Sequence, residues 1–119
     1  MRRHLILLAL SPSLAFAQVR YTTIARTGQP VPNTPGLLSY RFSDHVINES
    51  GVVAADIEYD RANSIKKALT LFPSPNTYNP VAFQGNVAPG ATDSATFGPS
   101  FDTLVLNTNS QLAFRNYIG

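Results

Sequence analysis

A near-duplication of two sequence elements constrains the fold of this chain more than any other feature. The first element contains Gly28 and returns at Gly85, an offset of 57 (85 − 28). The second contains Asn48 and returns at Asn107, an offset of 59 (107 − 48). A period in this range is typical of repeat architectures, in which each unit needs a neighbour to cover its apolar face. The sequence therefore predicts two tandem copies of one structural unit.

Residues 1–17 have the pattern of a secretory signal peptide. Arg2 and Arg3 give a positive amino-terminal region, residues 5–10 are apolar, and residues 15–17 (Ala-Phe-Ala) form a small-x-small cleavage site. We predict a signal helix that is removed at the end of this site. The apolar run is much shorter than the ~20 residues of a spanning helix, which disfavours a membrane anchor and predicts no membrane span after cleavage. The paired arginines leave a twin-arginine export route open.

Loss of this segment leaves a chain with no net charge. Two of the nine Lys and Arg residues lie in the segment, so seven remain against seven Asp and Glu. The longest basic run, Lys66-Lys67, is interpreted as a solvated strand or turn edge, and no nucleic-acid partner is predicted. The chain has no cysteine, which excludes disulfides, thiol catalysis and thiolate metal sites. We expect a secreted protein, extracellular or on the cell surface, with the periplasm as an open alternative.

The remaining sequence predicts an all-β fold, because β-branched and aromatic runs are separated by Gly, Pro and Asn clusters. The predicted strands are residues 20–25, 38–47, 52–59 and 64–72, followed by residues 81–84, 100–106 and 111–118. Local propensity leaves a short helix over residues 66–71 as an alternative. We assign residues 18–73 to a first β repeat, 74–80 to a proline-rich linker, and 81–119 to a second, incomplete β repeat.

Four antiparallel strands in about 60 residues form the meander of a propeller blade. Tandem meanders of this kind predict a partial β-propeller-like fold, with a small β-sandwich as the alternative. Propellers close with about 4 to 8 blades, so two units cannot complete a ring. We therefore expect either further repeats in a longer chain or self-association of several copies.

The second element has a recognisable motif in both copies. The first copy has Asn48, Gly51 and Ala54, and the second has Asn107, Ala113 and Phe114, with Ser110 in place of the glycine. The preceding loop element supplies Gly28 and Pro32 in one copy, and Gly85, Pro89 and Gly90 in the other. This ordered pair resembles the exported bacterial family of tandem-repeat NxxGxxAF-containing proteins with variable carboxy-terminal anchors. The resemblance implies a surface or extracellular protein and carries no activity, cofactor or catalytic residue.

The motif residues have a structural explanation of their own. Asn48 and Asn107 stand where a side-chain carbonyl can accept hydrogen bonds from turn N–H groups. Gly51 can adopt a positive φ, whereas in the second copy we expect Asn109 rather than Ser110 to take that conformation. The small residues after each turn, Ala54, Ala55 and Ala113, are expected to allow close packing of the sheets, and Phe114 is expected to fill the space between the units.

The titratable residues predict neither a catalytic nor a metal site. His45 follows Ser-Asp directly in residues 43–45, and neighbours on a strand point to opposite faces, so these three cannot form a triad. The carboxylates of Asp56, Glu58 and Asp60 alternate along one strand and share a face. We interpret that face as solvent-exposed, with calcium binding as an alternative.

The Gly- and Pro-rich loops at residues 28–36 and 85–99 are the best candidates for a binding surface, because repeat proteins present loops on one face. Their ligand is unknown. The sequence favours an exported, non-catalytic β-repeat protein with a structural or adhesive role. The alternative is an amino-terminal fragment of an exported carbohydrate-active or hydrolytic enzyme.

Overall fold

A computed structural model of the chain describes residues 18–61 and 64–119, so the predicted signal helix lies outside the described residues. The described part is built of antiparallel β-sheets without an α-helix, which confirms the predicted all-β class. Its strands are β1 Leu37–Ile47, β2 Val53–Arg61, β3 Ser64–Ser74, β4 Thr77–Phe83, β5 Phe97–Leu106 and β6 Leu112–Ile118. A 3-10 turn, Thr92–Ser94, lies in the loop before β5.

The first sheet is a four-stranded meander with the order β1-β2-β3-β4. Its central pair, β2 and β3, is in continuous register from Val53 opposite Phe72 to Arg61 opposite Ser64. Residues 66–71 belong to β3, so the helix alternative is wrong for this segment. A strand was favoured physically because β3 has partners on both sides, which satisfy its backbone N–H and C=O groups.

The second sheet contains β5 and β6 and repeats the register of β1 and β2. Phe42 lies opposite Ile57 in the first sheet, and its repeat counterpart Phe101 lies opposite Asn116. Similarly, Ile47 pairs with Val53, and Leu106 pairs with Leu112. The duplicated segments therefore occupy equivalent places in two sheets.

The apolar side chains lie in two clusters, one on each face of the first sheet. Alternation along β2 divides its residues, with Ala55, Ile57 and Tyr59 on one face and Ala54, Asp56 and Glu58 on the other. The first face, together with β3, gives a buried cluster: Val31, Leu38, Ala55, Ile57, Tyr59, Ala68 and Phe72. The opposite face contributes Leu69 and Ala82 to a second cluster with Phe101 and Leu104 of β5.

The boundary between the sheets differs from the boundary predicted between the repeats. Residues 74–80, interpreted as a linker, form the end of β3, a two-residue turn and the start of β4. Residues 81–84, predicted to open the second sheet, continue β4 and its turn instead. Prolines do not prevent this because β4 is the outer strand of its sheet, where one side of the backbone needs no partner. The division into units 18–73 and 81–119 stays a prediction about the sequence repeat.

The predicted strand at residues 20–25 is also wrong, because that segment does not form a strand. Its counterpart, at the offset that separates Gly28 from Gly85, is β4, which pairs with β3. A strand needs such a partner, and β3 already has β2 and β4 on its two sides. Propensity alone was therefore insufficient to make residues 20–25 a strand.

The β1–β2 turn, which contains Gly51, and the β5–β6 turn, which contains Ser110, permit a test of the repeat at a single φ angle. Gly51 has φ +80°, and its equivalent Ser110 has φ +61°. A Cβ atom added at Gly51 would have no neighbour within 4 Å, so Gly51→Ala tests backbone conformation alone. We expect Gly51→Ala to lower the free energy of unfolding by about 1 kcal/mol and Ser110→Gly to raise it by up to about 1 kcal/mol.

Urea denaturation monitored by circular dichroism measures both changes. The exposed turn residue Thr108 provides a control, since Thr108→Ala leaves the left-handed position untouched. Changes of opposite sign in the free energy of unfolding of Gly51→Ala and Ser110→Gly would support the equivalence of the two turns. Equal destabilisation by both would contradict it.

Candidate functional site

The β1–β2 turn is organised by the side chain of Asn48. Its Oδ1 accepts hydrogen bonds from the backbone N–H groups of Ser50 (3.0 Å) and Val52 (2.9 Å). Its backbone carbonyl accepts from the N–H of Gly51 at 3.0 Å, and its own N–H donates to the carbonyl of Val52. One asparagine thus satisfies turn groups that would otherwise depend on water.

The β5–β6 turn repeats this arrangement at Asn107. Its Oδ1 accepts from the N–H of Gln111 at 2.9 Å, and its backbone carbonyl accepts from the N–H of Ser110 at 3.0 Å. The positive φ lies at Ser110, so the expectation that Asn109 would take it is wrong. Ser110 occupies the fourth turn position, where the hairpin geometry requires the left-handed conformation whatever residue is present.

The two turns are hydrogen-bonded to each other. The Asn48 side-chain Nδ2 donates to the backbone carbonyl of Asn107 at 3.0 Å and lies 3.4 Å from the hydroxyl of Ser110. The Ser50 hydroxyl donates to the carbonyl of Thr108 at 3.5 Å. Asn48 therefore shapes its own turn with one end of its amide and holds the next turn with the other.

Below the turns, the sheets meet through an apolar contact. Phe101 is fully buried and packs with Leu69 of β3 and Ala82 of β4. Its ring lies 5.6 Å from that of Phe97 and 5.7 Å from that of Phe114, measured between centroids. Phe114 thus lies between the sheets as the sequence suggested. Ala54 is fully buried, whereas its equivalent Ala113 is exposed, so the expectation that Ala113 lies in the packing between the sheets is wrong.

A charged cluster lies in the same interface. The Lys67 ammonium is 3.3 Å from Asp56 and 3.9 Å from Glu58, and it donates to the Ser43 hydroxyl at 3.0 Å. Asp56 and Glu58 are only 1% and 7% exposed, so the interpretation of their face as solvent-exposed is wrong for both. The second sheet covers this face, which periodicity within one strand could not reveal. Asp60 is exposed.

Two carboxylates of the first sheet also accept from the backbone of β5. The Phe101 N–H points to Asp56 Oδ2 at 3.5 Å, and the Leu104 N–H points to Asp44 Oδ2 at 3.4 Å. Burial raises the pKa of the Asp56 carboxyl, and the Lys67 ammonium opposes this shift. The other oxygen of Asp56 is buried without a hydrogen bond. Sequence reasoning missed Lys67 as a partner, although its register opposite Glu58 would follow from a correct β2–β3 pairing.

The Gly-rich loops are equivalent in both copies. The N–H of Gly28 donates to the carbonyl of Leu38 and that of Gly85 to the carbonyl of Phe97, both at 2.8 Å. The two glycines have φ +85° and +87°, a conformation that disfavours side chains. The other predicted loop residues, Pro32, Pro89 and Gly90, are exposed.

His45 lies apart from its sequence neighbours. It lines an apolar cavity of about 350 Å³ on the face of the first sheet that points away from the second sheet. Ser43 and Asp44 instead contact Lys67 and β5. Within the described residues, no group of three His, Asp or Glu side chains could hold a metal ion. That part of the chain likewise lacks a helix with the length and hydropathy of a membrane span.

The chain belongs to the family of unknown function DUF7453, whose profile matches residues 15–119. No curated protein and no solved structure matches it. The family match does not address the resemblance to the NxxGxxAF repeat proteins, which stays a prediction.

The two asparagines offer a matched pair for testing the contact between the turns. Asn48→Ala removes the two hydrogen bonds that its Oδ1 accepts within the turn and the bond that its amide donates to Asn107, whereas Asn107→Ala removes only its two side-chain bonds to Gln111. We expect Asn48→Ala to destabilise the fold by about 1 kcal/mol more than Asn107→Ala does, the usual net contribution of one hydrogen bond. Chemical denaturation of both variants measures the difference. Equal losses would show that the bond between the turns contributes nothing.

Protonation of Asp56 is expected to stabilise the fold. Folding raises the pKa of this carboxyl, so the folded chain holds the proton more tightly than the unfolded chain. Stability from this group should rise as the pH falls from the raised pKa toward the ordinary one. In Asp56→Asn this rise should be absent when denaturation midpoints are measured across acidic pH.

Asp102 provides a control of opposite sign. A hydrogen bond from Arg115, 2.7 Å away, lowers the pKa of the Asp102 carboxyl. The stability that Asp102 contributes is therefore fully present above the ordinary pKa of an aspartate and is lost as the pH falls through the lowered pKa of the folded chain. Asp102→Asn should remove that acid-induced loss. The assignment of Asp56 fails if Asp56→Asn and the unmodified protein respond identically to acid.

Proposed function

We propose that this chain is an exported, non-catalytic repeat protein with a structural or adhesive role at the cell surface or in the surrounding medium. The amino-terminal pattern of Arg2, Arg3, an apolar run and Ala-Phe-Ala supports export. The observation that carries the structural role is the hydrogen bond from Asn48 of one turn to Asn107 of the next. A motif residue here serves to join repeat units.

The use of the polar side chains supports the same proposal. Catalysis requires a nucleophile, a base and an orienting group that converge on space for a substrate. Here Lys67 contacts both Asp56 and Ser43, Asp56 is buried where β5 packs on the first sheet, and Asp44 accepts from the backbone of β5. These contacts use the groups to position one sheet on the other.

The arrangement of the units supports a propeller-like architecture as part of this proposal. In a propeller, successive meanders pack face to face and repeat the same contacts. The contact of β5 with β1, β2 and β3 has this character. The Gly- and Pro-rich loops at residues 28–36 and 85–96, in which Pro32, Pro89 and Gly90 are exposed, would form the adhesive surface. The ligand of that surface would be another macromolecule at the cell surface.

Expression of the full chain in a bacterial host tests export. We expect mass spectrometry of the exported product to give a chain that begins at Gln18. A matched variant, Leu7→Glu, interrupts the apolar run and should reduce the exported fraction at least tenfold, because a buried charge is costly to the signal helix. Retention of the full-length chain inside the cell, or equal export of the variant, would contradict the proposal.

The non-catalytic role needs a separate assay. The exported protein is incubated with a panel of polysaccharides and ester substrates, and we expect no turnover above that of a heat-denatured sample. Surface labelling of cells that produce the protein should detect it outside the membrane. Hydrolysis that is lost on denaturation would overturn the structural role in favour of an enzyme.

A further inference from the structure

The apolar cavity on the first sheet lies opposite the face that the second sheet covers. Its lining contains Thr23, Ile24, Ala25, Phe42, His45, Val53, Ala55 and Phe72. Phe42 remains 41% exposed although its ring packs against that of Phe72. The cavity is thus an open apolar surface on a sheet whose other face is already occupied.

The sequence duplication relates the lining of this cavity to the existing interface between the two sheets. Four of the lining positions have counterparts at the offset that separates Asn48 from Asn107, and each counterpart packs between the two sheets. Phe42, His45, Val53 and Ala55 correspond to Phe101, Leu104, Leu112 and Phe114. The face that the second sheet uses to bind the first sheet is therefore the face that the first sheet leaves open around the cavity.

The segment around Ala25 borders the cavity, and it too has a counterpart that packs between the two sheets. Ala25 corresponds to Ala82 of β4, by the offset of the glycine-containing element, and Ala82 packs with Phe101 in the interface between the sheets. Ala25 lines the cavity together with Phe42, the counterpart of Phe101. The N–H of Asn76 donates to the carbonyl of Ile24 at 2.8 Å and holds this segment in place. The segment around Ala25 therefore lies where the fourth strand of a covering sheet would lie.

We infer that the cavity is a docking surface for a sheet of the same kind, supplied by a second copy of this chain. The second copy offers the outer face of its β5–β6 sheet, where Val105 and Tyr117 are 61% and 68% exposed. Val105 is the counterpart of Val46, which packs in the existing interface. The contact is heterologous, so copies add head to tail.

The turns that contain Asn48 and Asn107 predict a specific hydrogen bond between copies. Within one chain, Asn48 Nδ2 donates to the carbonyl of Asn107. Asn107 Nδ2 instead donates to its own neighbour Gln111 at 2.6 Å. Between copies, Asn107 of the second copy takes the role that Asn48 has within one chain, and its amide turns to the Asn48 carbonyl of the copy that carries the cavity. The inference rests on the proposed structural function, because it extends the contact between the repeats to a contact between chains.

Sedimentation velocity of the exported chain over a range of concentrations tests this assembly. We expect the average mass to rise with concentration beyond that of a dimer. Phe42→Asp blocks the cavity and Tyr117→Asp blocks the outer face, so each variant alone should be monomeric, with association at least tenfold weaker. Mixed together, they should form a one-to-one dimer that grows no further, since one intact surface of each type remains.

Controls separate assembly from folding and from export. Ile65 is 54% exposed at the start of β3, outside the cavity and the β5–β6 sheet, and Ile65→Asp should associate like the unmodified chain. If Phe42→Asp loses its circular dichroism spectrum, His45→Asp, at an exposed position in the same cavity, takes its place. A chain that stays monomeric at all concentrations, or a mixture that fails to dimerise, overturns the inference. Export is measured independently, so a failure of the proposed function is recognised separately.

Discussion

The second sheet depends on the first for its stability. It consists of the two strands β5 and β6, and a two-stranded hairpin is at best marginally stable by itself in water. Its apolar side chains, Phe97, Phe101 and Phe114, gather on one face, and that face is covered by residues of β1, β3 and β4 of the first sheet. Burial of this face is the driving force that holds the two sheets as one structure.

Polar contacts give that apolar association a defined register. Apolar packing is non-directional, whereas hydrogen bonds require particular positions. Asn48 donates one to Asn107, and Asp44 and Asp56 each accept one from the backbone of β5. The buried Asp56 carries a desolvation cost that Lys67 only partly offsets, as the raised pKa of its carboxyl indicates. The interface thus combines an apolar contact that stabilises with polar contacts that orient. The same combination on an open face underlies the proposed assembly of copies.

Much of the secondary structure was predictable because its signals are local. The strands at residues 38–47, 52–59 and 64–72 were placed within three residues of β1, β2 and β3. Asn48 and Gly51 marked the first turn, because an asparagine cap and a positive φ are properties of single residues. The errors arose where a strand needed a distant partner. Residues 77–80 became strand because β3 offered an open edge, and residues 20–25 did not become strand.

The sequence by itself determined an all-β chain with duplicated turns, because alternation, turn residues and a regular repeat offset are all written in residue order. Only the tertiary structure decided which sheet receives β4, which face of β2 is covered and why Asp56, Glu58 and Lys67 lie together. Alternation along a strand shows that two faces differ, but it does not show what packs on either face. That second fact depends on how one sheet lies against the next, and so it is a property of the packed pair rather than of any single segment.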